Sequence, residues 1–266
     1  MHAFAPRSPL VVAPGECALF ASDVHAGAHD PDTAELFVER LAAEAASAAH
    51  VFVLGDLFEA WVGDDGADAS GDRLIELFSR LASNGCRVHV MRGNRDFLLD
   101  VARPGAPAAF AARCAATMLP DPCVVWLHGR PALLSHGDAL CSDDAEYQRF
   151  RALSRSPGWQ RDFLSRPLDE RLAIAADMRA RSEMSKAGKL DTLMDVNGAT
   201  VQAVMRAAAV RVLIHGHTHR PACHDFELDG VPARRWVLPD WSASGRRGGM
   251  LRASADGLEF VGHWPF

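Results

Sequence analysis

The sequence predicts an α/β protein organised around a mostly parallel sheet. Short apolar runs typical of buried strands alternate with stretches of helical periodicity through the N-terminal part of the chain. Such alternation is typical of right-handed β-α-β units. Polar residues directly follow several of the apolar runs, and parallel sheets bind ligands beyond the carboxyl ends of their strands. We therefore expect the functional site at that edge of the sheet.

Composition narrows the class of protein. The 266 residues suffice for one large α/β domain or two small ones, and 48% of them are hydrophobic while 23% are charged, as in soluble globular proteins. The formal net charge of −6 makes no overall case for a nucleic-acid partner, so none is expected. The six cysteines show no C-x-x-C spacing, which predicts a reducing compartment. Without a signal-peptide pattern or an apolar run near ~18 residues, we expect a cytoplasmic protein, with peripheral membrane contact left open.

The elements of the first half follow from apolar runs and helix-start signals. Residues 1–16 are expected to form an irregular lead-in, and residues 17–22 a buried strand. The Pro31-Asp32 pair predicts the start of a helix that apolar periodicity extends to about residue 45. We further expect a strand over 51–54, a helix over 72–83 and a strand over 87–91.

The second half predicts a hairpin, a helical insertion and further strands. The hairpin is expected over 123–127 and 132–134. From 143 to 189 the pattern becomes helical, and residues 149–189 hold ten Lys or Arg against five Asp or Glu, a local balance of +5. We therefore predict an inserted helical subdomain there. The remaining expected elements are a helix over 201–209 and strands near 210–214, 223–228, 234–238, 250–253 and 259–261.

Three histidines stand at alternate positions in residues 213–221, which read Leu-Ile-His-Gly-His-Thr-His-Arg-Pro. His215, His217 and His219 follow a short apolar run, and alternate side chains of an extended backbone share one face. Gly216 permits a sharp turn or a close backbone approach. Imidazole is the commonest protein ligand for divalent metals, so this cluster predicts half of a metal site.

The other half of the site is predicted at the ends of other strands. Two carboxylates, one amide and four imidazoles follow successive apolar runs: Asp23, His25, Asp56, Asn94, His136, His217 and His219. Each alone has an ordinary explanation, such as a helix cap or a turn residue. Together they can hold two divalent ions roughly 3.5–4 Å apart if one carboxylate bridges, as in two-metal phosphoester hydrolysis. Nitrogen and oxygen ligands without thiolate suit Mn²⁺, Fe²⁺ or Zn²⁺.

These motifs resemble those of the calcineurin-like metallophosphoesterases in order and spacing. They read Asp-Val-His at 23–25, Gly-Asp at 55–56, Gly-Asn-Arg-Asp at 93–96, Ser-His-Gly-Asp at 135–138 and Gly-His-Thr-His at 216–219. The resemblance implies a four-layer α-β-β-α sandwich with an inserted helical cap. It also implies that one metal is held by Asp23, His25, Asp56 and His219, and the other by Asp56, Asn94, His136 and His217. His215 is expected to pack or to support a ligand.

A closer resemblance extends over nearly the whole chain. The segments 55–65, 93–97, 136–144, 147–151, 194–197 and 215–221 resemble the UDP-2,3-diacylglucosamine hydrolase family of lipid A synthesis. The departures are mild: Val24 stands where Leu is usual, and Pro239 where Gly is more typical. The resemblance implies Mn²⁺-dependent cleavage of a pyrophosphate, with water attacking the α-phosphate to give UMP and 2,3-diacylglucosamine 1-phosphate. It also implies a monomer at the cytoplasmic face of the inner membrane of a Gram-negative bacterium.

The same resemblance assigns catalytic and substrate-binding residues. The catalytic set is expected to be the seven metal ligands together with Arg95, whose planar donor fork suits phosphate oxygens. Residues expected to contact substrate are Asn94, Arg95, Asp144, Tyr147, Arg179, Ser182, Lys186, Lys189 and His217. Residues 1–142 and 190–266 would form the metallophosphoesterase core, and 143–189 a helical cap over the active site. Most of the cap's apolar groups are expected to pack against the main sheet and some to line an acyl-chain chamber. The cap's net positive charge is expected to face phosphates and an anionic membrane.

Two alternatives stay open at the level of sequence. One is a different calcineurin-like phosphoesterase, such as a phosphoprotein phosphatase, a cyclic-nucleotide phosphodiesterase or a nuclease, because the motifs alone do not choose the substrate. The other is a non-catalytic metal-binding scaffold that docks a partner. The second predicts loss of a ligand or of Arg95, and all of these residues are present.

Overall fold

Two six-stranded sheets lie face to face in the computed structural model of the chain, which describes residues 10–106, 108–187 and 195–263. One apolar core fills the space between the sheets, and a further core lies under the helices on each outer face. This helix-sheet-sheet-helix layering confirms the expected α/β class and sandwich. The mostly parallel sheet expected from the β-α-β alternation is one of the two sheets, and each sheet also contains antiparallel pairs.

Sheet I contains the predicted β-α-β units. Its strands are β2 (Ala18–Ala21), β3 (His50–Leu54), β4 (Arg87–Met91), β5 (Thr117–Leu119), β11 (Gly248–Ser254) and β12 (Gly257–His263), in the order β12-β11-β2-β3-β4-β5. β2 to β5 are parallel, and β11 runs antiparallel to both of its neighbours. Its outer side is covered by α1 (Pro31–Glu44), α2 (Ala69–Ser83) and the short α3 (Phe110–Cys114).

Sheet II is built from chain segments on both sides of the helical insertion. Its strands are β1 (Leu10–Val12), β6 (Cys123–Leu127), β7 (Arg130–Ser135), β8 (Val212–His215), β9 (Ala222–Leu228) and β10 (Val231–Val237), in the order β1-β6-β7-β8-β10-β9. The helix α7 (Gly198–Ala208) packs on its outer face through Val201 and Met205. Sheet II therefore brings the fourth and fifth motifs beside each other, since β7 and β8 are parallel neighbours.

Alternation along the central strands explains why they consist of continuous apolar runs. Phe20 and Phe52 point between the sheets and stack with ring centroids 4.7 Å apart. Leu19 and Val51 point the other way, into the core under the helices. Because successive side chains of a strand lie on opposite faces, a strand buried on both faces must be apolar throughout.

The insertion consists of α4 (Ala145–Ser154), α5 (Pro157–Leu164) and α6 (Leu168–Ala187), so the described residues bear out its predicted helical character. Phe163 and Leu164 of α5 are buried in the same core as α1 and α2. Arg171 of α6 is 1% exposed and forms a bidentate ion pair with Asp65, at 2.9 and 2.6 Å. The insertion is therefore packed on the sheet I side of the molecule. Its division from the core as a cap over 143–189 stays a proposal.

Three short elements were not predicted. β1 was expected to be irregular, but Leu10–Val12 pairs in parallel with β6. α3 and β5 have five and three residues, too few to show a period. Each is stabilised by distant neighbours, which local sequence does not reveal. Within the described ranges, no helix is both long and apolar enough to cross a membrane.

Candidate metal centre

The predicted ligands converge from both sheets at one edge of the sandwich. Asp23, Asp56 and Asn94 lie within three residues of the ends of β2, β3 and β4 in sheet I. His136 directly follows β7 in sheet II, and His217 lies two residues beyond β8. Strand topology therefore brings together residues that are far apart along the chain, such as Asp23 and His217, which are separated by 194 residues.

These side chains form two clusters in the described part of the chain. The first contains Asp23, His25 and His219, and the second contains Asp56, His136 and His217. In each cluster the potential ligand atoms lie within 4.8 Å of one another. Each cluster contains three of the four residues that the resemblance implied for one ion, and the assignment of ligands to ions stays a proposal.

Asp56 lies between the two clusters, with one carboxylate oxygen towards each. Its Oδ2 is 3.9 Å from His25 Nε2, and its Oδ1 is 3.6 Å from His136 Nε2. Asn94 Oδ1 lies 2.9 Å from His136 Nε2, on the second side. This is the arrangement that a bridging carboxylate requires.

The donor atoms fit divalent cations. Asp23 Oδ1 is buried and accepts no well-aligned hydrogen bond from the described residues, although His219 Nε2 is 3.4 Å away. The Nε2 atoms of His25 and His219 face each other at 3.3 Å. A buried carboxylate oxygen without a donor is costly, and a cation held between these atoms would satisfy it. Oxygen and imidazole donors without thiolate favour a catalytic type of divalent ion over a structural zinc.

Five of the expected ligands have left-handed backbone conformations: Asp23 (φ 55°), His25 (53°), Asp56 (51°), His217 (71°) and His219 (54°). Each such residue costs of order 1–3 kcal/mol and persists only where its surroundings impose it. Here the backbone N–H of Asp23 donates to Gly55 O, that of His25 to Asp56 O, and that of His217 to Asp23 Oδ2. The sequence gives no signal for this strain.

Two glycines are required by close approach. A Cβ on Gly216 would collide with Asp23 Oδ2 and with Ser22, and one on Gly93 would collide with the backbone and carboxylate of Asp56. Of the two uses expected for Gly216, the structure shows the close approach. Its φ is not among the left-handed values, which belong to its neighbour His217.

The site favours positive charge at its centre. Burial opposes protonation of His136, but Asp56 and Asp138 outweigh it and raise the pKa of the imidazole to about 9. His217, at the same edge, has its pKa lowered to about 4 by burial and by its neighbour His136. Burial would raise the pKa of Asp23, but His219 and the other imidazoles hold it well below its usual value. A cation therefore meets an ionised Asp23 and an unprotonated His217.

Glu59 joins this site, and its role was not predicted. Its Oε2 lies 3.0 Å from His25 Nδ1, and its Oε1 lies 3.6 Å from Arg95 and 3.0 Å from Arg179. Burial opposes its ionisation, but the hydrogen bond with His25 and the charge of Arg95 lower its pKa to about 2. Glu59 can thus orient His25 while neutralising two arginines. The feature of the sequence that could have pointed to Glu59 is its position three residues after the expected ligand Asp56.

A second buried network ties α4 to the loop of the fourth motif. Asp138 Oδ2 accepts hydrogen bonds from Tyr147 Oη at 2.5 Å, Arg151 Nε at 2.9 Å and Arg155 at 2.8 Å. Arg155 also donates to Gly93 O at 3.1 Å, beside Asn94. Burial opposes ionisation of Asp138, but the arginines and His136 hold its pKa well below its usual value. Arg151 and Arg155 belong to the positively charged stretch of residues 149–189, and the sequence did not indicate which of its arginines would be directed into the protein.

His215 lies outside both clusters. It is fully buried, with Nδ1 2.8 Å from Gly216 O and Nε2 3.1 Å from Arg235. Burial and Arg235 lower its pKa to about 3. These contacts agree with a packing role.

A cavity of about 820 Å³ opens over the two clusters. Arg95, Asp144, Tyr147 and Arg179 all line it, as expected for substrate contacts. Tyr147 also stacks on His217, with ring centroids 6.2 Å apart, and Asp144 caps α4 by accepting from Tyr147 N. The remaining predicted contacts, the side chains of Ser182, Lys186 and Lys189, lie outside the described residues.

Comparison with known proteins agrees with this geometry. The model of the calcineurin-like phosphoesterase family matches residues 18–221. A UDP-2,3-diacylglucosamine hydrolase from Chromohalobacter salexigens is 43% identical over 90% of this chain and 93% of its own length. Proteins of the same name from Aeromonas hydrophila and Stenotrophomonas maltophilia are 46% and 41% identical, over 85% and 90% of this chain and 91% and 95% of their own lengths. The chain therefore belongs to the calcineurin-like phosphoesterase family, beside relatives that are named UDP-2,3-diacylglucosamine hydrolase.

Proposed function

We propose that this chain hydrolyses the pyrophosphate of UDP-2,3-diacylglucosamine, giving UMP and 2,3-diacylglucosamine 1-phosphate in lipid A synthesis. Family membership makes it a metal-dependent hydrolase, and relatives over about nine-tenths of its length carry this name. The observation that carries the proposal is a pair of ligand clusters in a cavity that also has an aromatic and aliphatic wall. A substrate with a pyrophosphate and two acyl chains matches both features.

The proposed ligands divide around Asp56. Asp23, His25, Asp56 and His219 would hold one ion, and Asp56, Asn94, His136 and His217 the other. When bound, two divalent ions supply positive charge to the pyrophosphate oxygens and lower the pKa of the attacking water. We propose Mn²⁺ as the metal: the oxygen and imidazole donors suit Mn²⁺, Fe²⁺ or Zn²⁺, and the resemblance to the UDP-2,3-diacylglucosamine hydrolase family favours Mn²⁺ among them.

Arg95 is the proposed partner of the phosphate oxygens. Its backbone N–H donates to Asp56 Oδ1 at 2.8 Å, which fixes the residue beside the bridging carboxylate. Its guanidinium lies 3.6 Å from Glu59, so phosphate would exchange with Glu59 as its anionic partner. Asn94 and His217 lie next to it at the same edge and complete the expected phosphate contacts. Asp144, Tyr147 and Arg179 line the cavity above, and Ser182, Lys186 and Lys189 are proposed to join them.

The apolar wall is proposed to hold the acyl chains. Trp159 stacks on Phe163 with centroids 5.1 Å apart and meets Phe97 at 5.8 Å, and all three line the cavity with Trp61 and Met178. Each methylene buried there contributes about 0.8 kcal/mol. Three of these residues come from the 143–189 insertion, which supports its proposed role as a cap.

The proposed setting is the cytoplasmic face of the inner membrane, with the protein acting as a monomer. The net charge of +5 over residues 149–189 supports attraction to an anionic bilayer, at on the order of 1 kcal/mol per basic residue near the surface. Sedimentation with anionic vesicles at low salt tests this attraction. Binding that salt reverses is expected, and a protein that stays wholly unbound would contradict it.

Turnover of UDP-2,3-diacylglucosamine beside bis-p-nitrophenyl phosphate tests the proposed reaction. With Mn²⁺, we expect release of UMP from the first substrate. Cleavage of bis-p-nitrophenyl phosphate alone would agree with membership of the phosphoesterase family but would rule out UDP-2,3-diacylglucosamine as the substrate. That outcome would favour another calcineurin-like phosphoesterase, such as a phosphoprotein phosphatase, a cyclic-nucleotide phosphodiesterase or a nuclease.

A further inference from the structure

The cavity has two chemically different ends. One end is the aromatic and aliphatic wall around Trp61, Phe97 and Trp159. The other, which we call the polar arm, is lined by His29 and Asp30 from the β2–α1 loop, by Thr33 in the first turn of α1, and by Asp240, Ser242 and Arg247 from the loop after β10. The proposed ligands and Arg95 line the same cavity.

The polar arm begins at the first ligand cluster. Asp240 Oδ2 lies 3.7 Å from His219 Nδ1, and Trp241 N–H donates to Asp23 O at 3.1 Å. Asp240 Oδ2 also accepts a hydrogen bond from Arg247 at 2.7 Å. The Arg247 side chain is 44% exposed and this pairing uses one arm of its fork, so the guanidinium presents further donor groups at the surface of the cavity.

The two loops of the arm are tied together. Thr33 Oγ1 donates to Asp30 Oδ2 at 2.7 Å and accepts from Ala243 N–H at 2.8 Å. Ser242 and Arg247 exchange backbone hydrogen bonds at 3.0 and 2.9 Å, which closes the second loop into a tight bridge. A subsite that is already formed loses little entropy when it binds a ligand.

We propose that the polar arm binds the nucleoside half of the substrate, the ribose and uracil of the UMP moiety. This inference rests on the proposed function, in which the attacked phosphate lies at the clusters and the acyl chains follow the apolar wall. Uracil against that wall would leave its carbonyls and N–H without hydrogen-bond partners, which opposes binding in that orientation. Acyl chains in the arm would bury Asp240 and Arg247 against hydrocarbon. The chemistry of the two ends therefore selects one orientation.

Within the arm, Arg247 and Asp240 supply complementary groups. The unused donors of the Arg247 fork suit the uracil carbonyls, and the Asp240 carboxylate suits a ribose hydroxyl. Neither residue belongs to the motifs that predicted the metal centre. Arg247 is therefore a residue for recognition of the nucleotide and not for the chemistry of the pyrophosphate.

Inhibition of bis-p-nitrophenyl phosphate cleavage by UMP and by inorganic phosphate tests the inference. Phosphate reports on the metal centre alone, whereas UMP reports on the centre and the arm. In Arg247→Ala, the ratio of the UMP to the phosphate inhibition constant should rise about tenfold, since one charge-assisted contact is lost. Arg247→Lys keeps the charge beside Asp240 but loses the fork, and should give a smaller rise.

The neighbouring Arg246 provides the matched control. It is exposed and does not line the cavity, so Arg246→Ala should leave both inhibition constants unchanged. Calorimetric titration with UMP should reproduce the loss in Arg247→Ala without any turnover. An unchanged ratio, or equal weakening of UMP and phosphate, would overturn the inference.

The two proposals fail in different ways. If UDP-2,3-diacylglucosamine is not cleaved but Arg247→Ala selectively weakens UMP, the proposed function fails and the nucleotide subsite stands. If the lipid substrate is cleaved and the ratio is unchanged, the proposed function stands and the subsite is wrong.

Discussion

Replacement of Arg171 tests whether the helical insertion is attached to the core through a small number of buried contacts. Arg171 is 1% exposed, pairs with both carboxylate oxygens of Asp65, and also donates to Val62 O and Arg166 O. Arg171→Met keeps much of the side-chain volume but leaves these acceptors without their donor. The apolar contacts of Phe163 and Leu164 with the core remain.

The cost of this change follows from burial. Removing one partner of a buried ion pair costs about 3–5 kcal/mol. Asp65 is 23% exposed and keeps Arg103 at 2.7 Å, which places the expected cost near the lower value, about 3 kcal/mol. Because 1.4 kcal/mol is a factor of ten, exchange-competent opening of α5 and α6 should become about 100-fold more frequent. Protection of β2, β3 and β4 should not change.

Hydrogen exchange resolved by peptide measures this opening directly. The matched control is Arg166→Ala, which removes exposed pairs with Asp162 and Glu170 and should change exchange little. Turnover of the lipid substrate should fall in Arg171→Met, while cleavage of bis-p-nitrophenyl phosphate should persist. Uniform loss of protection across sheet I, or no faster exchange in α5 and α6, would refute a separately docked cap.

Three further predictions concern the centre and the core. Gly216→Ala should lower metal content and reduce turnover about 100-fold, because the new Cβ displaces Asp23 and a 1 Å misplacement has effects of this size. The control is Gly198→Ala, where a Cβ meets nothing within 4 Å. Equal metal content in both variants would contradict the reasoning. Asn94→Ala should abolish turnover while the protein stays folded, and near-full turnover of this variant would refute the two-metal assignment. EDTA should inactivate the wild type, and Mn²⁺ should restore its activity best. Activity that is indifferent to chelation would likewise refute the assignment. Burial and the neighbouring His50 lower the pKa of His89 to about 3, so the unfolded chain takes up a proton near pH 6.5 that the folded chain does not. The contribution of neutral His89 to the free energy of unfolding is therefore fully present above pH 6.5 and is lost as the pH falls, by about 2 kcal/mol at pH 5. Denaturant titrations should show that His89→Gln loses less stability between pH 7 and pH 5 than the wild type does.

The ligand set was predictable because it depends on a simple property of parallel strands. Asp56 and Asn94 directly follow or nearly follow buried apolar runs, and such runs are visible in one sequence. Because parallel strands end at the same edge of a sheet, knowing which strand each residue follows was enough to predict that these side chains lie close together. The two sheets were not evident from the runs themselves, because pairing between β7 and β8 joins segments on either side of the insertion.

The supporting residues were less predictable, for a physical reason. Glu59, Asp138 and Arg155 act through partners far away in sequence, and a charged residue in a basic or acidic stretch is more often exposed. Left-handed backbone at Asp23 or His219 is equally invisible, because it is imposed by packing and hydrogen bonds from other segments. Sequence thus indicated which groups carry the chemistry, but not what holds them in place.

The position of the new oxygen in the products tests the central claim most directly. The Mn²⁺-loaded protein would be incubated with UDP-2,3-diacylglucosamine in water enriched in the heavy oxygen isotope, and both products examined by mass spectrometry. Attack on the α-phosphate predicts one heavy oxygen in UMP and none in 2,3-diacylglucosamine 1-phosphate. Label in the glycolipid phosphate, or no cleavage of the substrate, would contradict the account.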